Sequence, residues 1–257
     1  MEFLKTSYID TTTAIVVNSN TSTADNIMGR DTSFQYRSSG FNNDSTTTTI
    51  RINFSETLAV SRIAFMGTNV KSMTWFYNGA TANTFSFTTT AATTTSNFST
   101  NSETSMFFQC TSVNCTSVSF DLKSTMVANS EKAVGHIYIG QEHLDFPRIP
   151  SAKNYKPILD PKTVTHELSD GSIRVHTVGV KHSATIKFQN ITASFRTDLK
   201  SVYDTHAPFV FVAFGTSTSW DEFLFPCVWE GPFDFFQYSD DFVEAGFTGQ
   251  IKLRETS

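Results

Sequence analysis

The chain has 257 residues, a formal net charge of −5 and 14% aromatic residues, with Phe at 25 positions and charged residues at only 17%. That balance excludes a disordered chain, which is charge-rich and aromatic-poor. The lack of any basic block excludes a nucleic-acid footprint, and no apolar run approaches the ~20 residues of a membrane-spanning helix, so no membrane insertion is expected.

The start, Met1 to Ser7, lacks the basic start and long apolar core of a secretion signal. Ile15-Val16-Val17 reads as a short strand that runs into Asn18-Ser19-Asn20-Thr21-Ser22, whose side chains bond back to the backbone and make turns. From Ala24 to Phe41 no periodicity is visible, and the stretch reads as loops. Strands follow. Ile50, Ile52 and Phe54 alternate with Arg51 and Asn53. A second strand covers Ser61 to Gly67, and a third, Ser72 to Tyr77, turns at Asn78-Gly79, a hairpin signal. Phe85 and Phe87 alternate with Ser86 and Thr88. The Thr- and Ser-rich stretch Thr88 to Thr104 has the β propensity of an exposed hairpin and the composition of a linker. Val118, Phe120 and Leu122 alternate with Ser119, Asp121 and Lys123.

Val134 to Gly140 alternates as a half-buried strand, with Ile137 and Ile139 on one face and His136 and Tyr138 on the other. Pro147 and Pro150 then keep the chain extended. Composition shifts here from Thr, Ser and Asn toward Lys, Asp and Phe, which places a domain boundary between 1–140 and 141–257. Beyond it, Thr163 to Leu168 and Ser172 to Val178 flank Asp170-Gly171, a β-hairpin. His182 to Gln189 is another strand. Thr192 caps a helix of about 192–204, because Phe195, Leu199, Val202 and Tyr203 share helical spacing. Phe209 to Phe214 is apolar on both faces and reads as the central strand of this domain. Phe223, Phe225, Cys227 and Trp229 share one face of the next strand, where Pro226 implies an edge or a bulge. Gly231-Pro232 reads as a turn, and Phe247 to Leu253 is the last strand.

Many short strands without amphipathic helices mean a β-sandwich in the first domain, and one helix on several antiparallel strands means an α+β or barrel-with-helix domain in the second. The fold class is therefore mainly β.

Asn18-Ser19-Asn20, Asn26-Ile27-Met28, Tyr36 before Ser38-Ser39, Ile50 to Phe54 and Val60 to Phe65 together resemble a galactose-binding-like (discoidin-type) jelly roll, with Val134 to Gly140 at its closing strand. The resemblance implies contact with sugars through loops holding Tyr36, Arg37 and Phe41, or around Asn78. An aromatic ring can stack on a sugar while Arg or Asn takes its hydroxyls. The other reading makes Tyr36 and Phe41 packing residues. The second domain, from Ile139-Gly140-Gln141-Glu142 to Gly249-Gln250-Ile251-Lys252-Leu253-Arg254-Glu255, resembles tail-tube and distal tail proteins of long-tailed bacteriophages, whose β-barrel carries one helix. This implies a structural virion protein of the tail tip or baseplate, assembled in the bacterial host cytoplasm. It implies a homo-oligomeric ring, hexameric or trimeric, with tail tube, hub and fibre proteins as partners and host polysaccharide as a contact. The order of domains departs from distal tail proteins, in which the tube-like part comes first. The alternative is a free carbohydrate-binding module or adhesin without a tail.

No catalytic set, metal-ligand spacing or cofactor motif stands out. His136, His143, His166, His176, His182 and His206 show no zinc spacing, and Gly-x-Ser-x-Gly, Walker and dinucleotide patterns are absent. The acids Asp221, Glu222, Glu230, Asp234, Asp240, Asp241 and Glu244 fall in expected turns rather than across a glycosidase cleft. Asp25, Asp31 and Asp44 match no calcium loop. Cys110 and Cys115 are near enough in sequence to bridge a tight loop, but without a secretion signal reduced thiols are the preferred reading. The expectation is no enzyme, no cofactor and no metal.

Overall fold

The computed structural model describes residues 1–4, 7–9, 14–29, 34–40, 43–78, 103–147, 154–214, 220–237 and 246–256. In chain order the strands are β1 (Glu2–Leu4), β2 (Ala14–Val17), β3 (Tyr36–Arg37), β4 (Thr48–Met66), β5 (Met73–Asn78), β6 (Met106–Leu122), β7 (Ala133–Val134), β8 (His136–Gly140) and β9 (Glu142–Asp145). They continue with β10 (Tyr155–Glu167), β11 (Ile173–Ile191), helix α1 (Ala193–Asp204), β12 (Phe209–Val212), the short helix α2 (Trp220–Phe223), β13 (Leu224–Gln237) and β14 (Phe247–Glu255). The protein is mainly β, with antiparallel sheets throughout. It divides into two compact units, Met1–Asp145 with Val210–Leu224, and Phe146–Phe209 with Phe225–Thr256. Where the sequence places a boundary after residue 140, the structure also returns Val210–Leu224 to the first unit.

The first unit is sandwich-like. Its middle layer is the sheet β2–β4–β6–β5, with β8 also paired to β4. The two strands expected at Ile50–Phe54 and Ser61–Gly67 are one, β4, which shifts register between Asn53 and Leu58 and again between Val60 and Arg62. Such bulges bend a strand without ending it. Alternation sends Ile50, Ile52, Phe65, Phe108 and Phe120 to one face. There Phe65 meets Phe120 edge-on at 5.0 Å, and each fully buried Phe contributes ~1.5–3 kcal/mol. This face is covered by Ile27, Tyr36 and Val134. Ile27 comes from a 3₁₀ helix over Thr21–Met28, where the sequence suggested loops. Short 3₁₀ turns leave little periodicity to read.

The other face of the middle layer presents Ala64, Met66, Phe107 and Tyr138, packed on Leu4, Val210, Val212 and Leu224. That cover is built by β1, which pairs antiparallel with β12 (Phe3 opposite Phe211) and with β9 (Phe3 opposite Leu144). Two expectations are corrected here. The Val210–Val212 part of the strand expected to centre the second domain belongs to the first unit, where it pairs with the N-terminal strand. And β8 is buried on both faces, because Tyr138 is covered as fully as Ile137 and Ile139 are.

The second unit holds the antiparallel strands β10–β11–β14–β13 with α1 laid against them. The helix begins as its sequence dictates: Thr192 is extended, and its hydroxyl accepts from Phe195 N at 3.2 Å. Phe195, Leu199 and Val202 are its buried stripe. Phe195 packs with Phe188 and Phe146 at 5.8 Å each, and Arg196 Nε donates to Phe235 O at 3.2 Å. The turn expected at Gly231-Pro232 is a bulge inside the continuous β13, between Glu230 and Asp234, with Gly231 at φ 89°. At φ > 0 glycine carries no Cβ penalty.

Candidate interaction surface

Strands β10 and β11 pair from Tyr155 opposite Ile186 to Glu167 opposite Ile173 and close through Asp170-Gly171. Gly171 has φ 76°, and Asp170 accepts from Ser172 N at 2.9 Å and Ser172 Oγ at 2.7 Å. The hydroxyl bond, then the amide bond, hold this carboxyl below its ordinary value. β11 runs farther than its other neighbour. Among the described residues β14 pairs with β11 only from Ser183 to Ile191, so Ile173 to Lys181 has β10 alone beside it. Ile173 to Thr177, Gly179 and Val180 are exposed, so both faces of this outer part are open.

The apolar stripe does not end where the sheet narrows. On β11 Phe188, Ile186 and Ala184 are buried, and the same alternation continues to Val180 in the open. Opposite it, Tyr155 is buried while Pro157, Leu159 and Pro161 are exposed. Leu159 is 53% exposed, Val175 60% and Ile173 66%. Of the eleven exposed large apolar residues among those described, seven lie between Ile158 and Val180. A two-stranded hairpin with no cover is marginal in water, and apolar patches of this kind mark interaction sites. Among the described residues its outer strand β10 is also the end of the sheet, and such an edge is a template for pairing with another chain. Near its base His182 donates from its backbone N to Glu255 Oε2 at 2.6 Å, with its Nδ1 2.8 Å from the same oxygen, and its ring stacks on Phe225 at 5.3 Å.

The residues read from sequence as sugar contacts are placed as follows. Tyr36 lies in the core with none of its surface exposed; its hydroxyl donates to Ser19 O at 2.9 Å and lies 3.1 Å from Ser19 Oγ. Burial raises the pKa of this phenol, opposed by the Ser19 bond. A ring enclosed in this way has no free face for stacking. Arg37 is exposed: its Nη2 donates to Gln35 Oε1 at 3.0 Å, and its carbonyl accepts from Asn20 Nδ2 at 2.7 Å. Phe41 and the side chain of Asn78 lie outside the described residues, as do residues 79–102. Beside Gln35 and Arg37 the structure exposes an aromatic that sequence reasoning passed over, Phe34, at 65%. Nothing in the pattern distinguished it, because Phe34 and Tyr36 have the same parity and opposite fates.

Of the carboxylates, Asp221 accepts from Thr104 N and Oγ1 at 2.8 Å each. Asp44 accepts from Thr125 N and Oγ1 and from Asn129 N at 3.0–3.2 Å. Both tie loops together. Near Asp44, the buried Lys132 donates to Asn43 O and Thr46 O at 2.8 Å each. Burial lowers its pKa, opposed by Asp44. Glu2 and Glu142 converge on Arg62, Glu2 also accepting from Gln109 Nε2 at 3.0 Å. Glu230 lies 3.4 Å from Arg254, both exposed. Among the described residues no cluster of three His, Cys, Asp or Glu suits a metal, no disulfide joins Cys110, Cys115 or Cys227, and no helix is long and apolar enough to cross a membrane.

No known protein family matches the sequence, and no curated protein does. Solved structures similar to it include CpGH89CBM32-6 produced by Clostridium perfringens, at 14% identity and a TM-score of 0.42, covering 52% of this chain and 98% of that one. A second is CpGH89CBM32-5 from the same organism, in complex with GalNAc-β-1,3-galactose, at 7% identity and a TM-score of 0.41, covering 53% and 100%. A third is chitosan-binding module 2 of a chitosanase/glucanase from Paenibacillus sp. IK-5, in complex with chitotriose, at 14% and 0.42, covering 52% and 99%. At these scores none of them assigns a ligand to this chain.

Proposed function

We propose that the protein is a non-catalytic structural subunit that assembles through the β10–β11 hairpin, and that the assembly is the tail tip of a long-tailed bacteriophage. The observation that carries the assembly reading is the apolar stripe that leaves the core at Ala184 and continues, uncovered, through Leu159 and Val180. A subunit that buries this stripe in a neighbour repeats a heterologous contact, which closes into a ring when the rotation allows. The tail assignment rests on the resemblance read in the sequence from Ile139 to Glu255, from which the structure takes Val210–Val212 into the first unit. The structural likenesses bear instead on carbohydrate-binding modules.

Sedimentation velocity and negative-stain microscopy of the full chain test the reading. A discrete closed oligomer is expected, and Leu159→Lys together with Val180→Glu should leave a folded monomer. A monomer at micromolar concentration in both cases overturns it.

A free carbohydrate-binding module is the second reading, favoured by exposed Phe34 beside the Gln35–Arg37 pair, an apolar ring next to hydrogen-bonding groups. The ligands to try are those held by the similar modules, GalNAc-β-1,3-galactose and chitotriose. Binding by a stable monomer, lost in Phe34→Ala and Arg37→Ala, would replace the first reading with this one.

A further inference from the structure

The sheet of the second unit has two chemically opposed faces. One holds Ala184, Ile186, Phe188, Ile251 and Leu253, all buried, with Phe195 of α1 packed on Phe188. Alternation sends the intervening residues to the other face. On β10 these include Lys156 and Lys162, and on β14 Lys252 and Arg254. On β11 Lys187 and Lys181 share that parity, and Arg174 joins them because the register shifts between Lys162 and Thr163. The shift keeps Ile173 and Val175 on the apolar side; without it they would change places with Arg174 and His176.

Among the described residues seven cations thus share one face with three carboxylates, Asp160, Glu230 and Asp234, in a chain whose net charge is −5. Six of the cations are exposed and Lys181 is partly covered. Of the seven, Arg254 alone has a described carboxylate at ion-pair distance, Glu230 at 3.4 Å. Reduced hydration, then the neighbouring Lys162, lower the pKa of Lys181. From Lys187 to Arg174 the strip runs about 40 Å at ~3.3 Å per residue. As far as Lys162 a cation stands at each ~6.6 Å step along it.

A ladder of this shape suits a linear polyanion. A two-stranded ribbon twists strongly, so its outer half does not lie flat on a charged membrane, whereas a flexible polymer follows the twist. Single-stranded nucleic acid needs a row of rings for its bases, and the strip from Lys187 to Lys162 carries none among the described residues. An extended peptide would add to the sheet edge through main-chain bonds. There the Asn154 carbonyl accepts from Lys187 N at 2.7 Å, so alternation turns Pro157 and Pro161, which have no N–H, toward the open side of β10. What lies between the cations is Ser183, Thr185 and Gln250, side chains that bond to hydroxyl groups.

We propose that this face binds an acidic polysaccharide, with its carboxylates along the Lys and Arg ladder and its hydroxyls on Ser183, Thr185 and Gln250. The site lies on the side of the hairpin away from Leu159 and Val180. It depends neither on assembly through those residues nor on sugar binding by the first unit.

The test is isothermal titration of the full chain with a short oligogalacturonate, which occupies one subunit and gains nothing from their number. Binding should weaken steeply between about 50 and 500 mM salt, and a neutral maltooligosaccharide of equal length should not bind. Lys162→Glu with Lys181→Glu should weaken binding by roughly tenfold or more, and the gentler Lys162→Gln with Lys181→Gln by less. The same charge reversal on the first unit, Lys71→Glu with Lys123→Glu, should leave it unchanged. Thermal unfolding shows which variants are folded. No binding, equal binding of the neutral sugar, or equal losses from the two charge reversals would overturn the proposal. So would undiminished binding in the folded glutamine variant, or tighter binding of an oligoglutamate or oligonucleotide of matched charge.

Discussion

Glu2 accepts from Arg62 Nε at 2.8 Å, 60 positions along the chain, with 4% of the Glu2 side chain exposed and 13% of the Arg62 side chain. The pair fastens the edge of β1 to the middle sheet, and the second carboxylate, Glu142, shares the same guanidinium. Removing one member of a buried pair leaves the other charge uncompensated, which typically costs ~3–5 kcal/mol. Glu142 remains for Arg62, so Glu2→Gln should cost less, ~2 kcal/mol. Arg62→Met should cost more, because it strands two acids. Urea unfolding of both singles and the double gives the coupling. A double mutant no worse than Glu2→Gln alone is expected, and additive losses would show that the two side chains act separately.

The cap of α1 supplies a cleaner test, because one hydroxyl is involved. Thr192→Ala should destabilise by ~1 kcal/mol, and Thr192→Ser by only a few tenths. The midpoint of urea unfolding should move while the slope stays constant.

Burial pushes the Cys115 thiol from 9.0 to about 12, with Cys110 beside it acting in the same direction. The folded value lies above the unfolded one, so the native state holds this proton more tightly. Its stabilising contribution is therefore complete below pH 9 and is lost as pH rises toward about 12. Cys115→Ala should flatten the decline in stability across that window. At pH 8 a thiol reagent should modify the partly exposed Cys110 first and reach the buried Cys115 and Cys227 only on unfolding.

On the hairpin, Leu159→Lys together with Val180→Glu changes two side chains that touch the core of neither unit. Exposed substitutions of this kind alter stability by ~0.5 kcal/mol or less. Thermal unfolding of dilute protein should hardly move, while the association seen by light scattering should vanish. Retained oligomers would mean that another surface makes the contact.

The local rules were legible in the sequence. Thr192 followed by Phe195, Leu199 and Val202 marked the helix, Asp170-Gly171 marked the hairpin, and the Val118–Phe120–Leu122 alternation marked a core-facing strand. Each of these depends on neighbours a few positions away. What stayed hidden depends on distant partners. Apolarity on both faces of Phe209–Val212 announced burial but could not name β1 as its neighbour. The hairpin was read from Thr163 onward, whereas its strand begins at Tyr155, and no pattern tells a buried stripe from one that outruns its sheet. Tyr36 was read as a surface ring and Phe34 was passed over, and only the hydroxyl bonds to Ser19 separate the enclosed ring from the open one.

The antiparallel match of Phe3 with Phe211 has a consequence for synthesis. Ribosomes release the N-terminal strand first and β9 about 140 residues later, yet the second of its two partners, β12, emerges only some two hundred residues on. Until then Tyr138 and Met66 wait with one side wet. The nascent first unit is thus an incomplete layer in need of chaperoning, and a gene truncated after residue 145 should yield inclusion bodies instead of a tidy module.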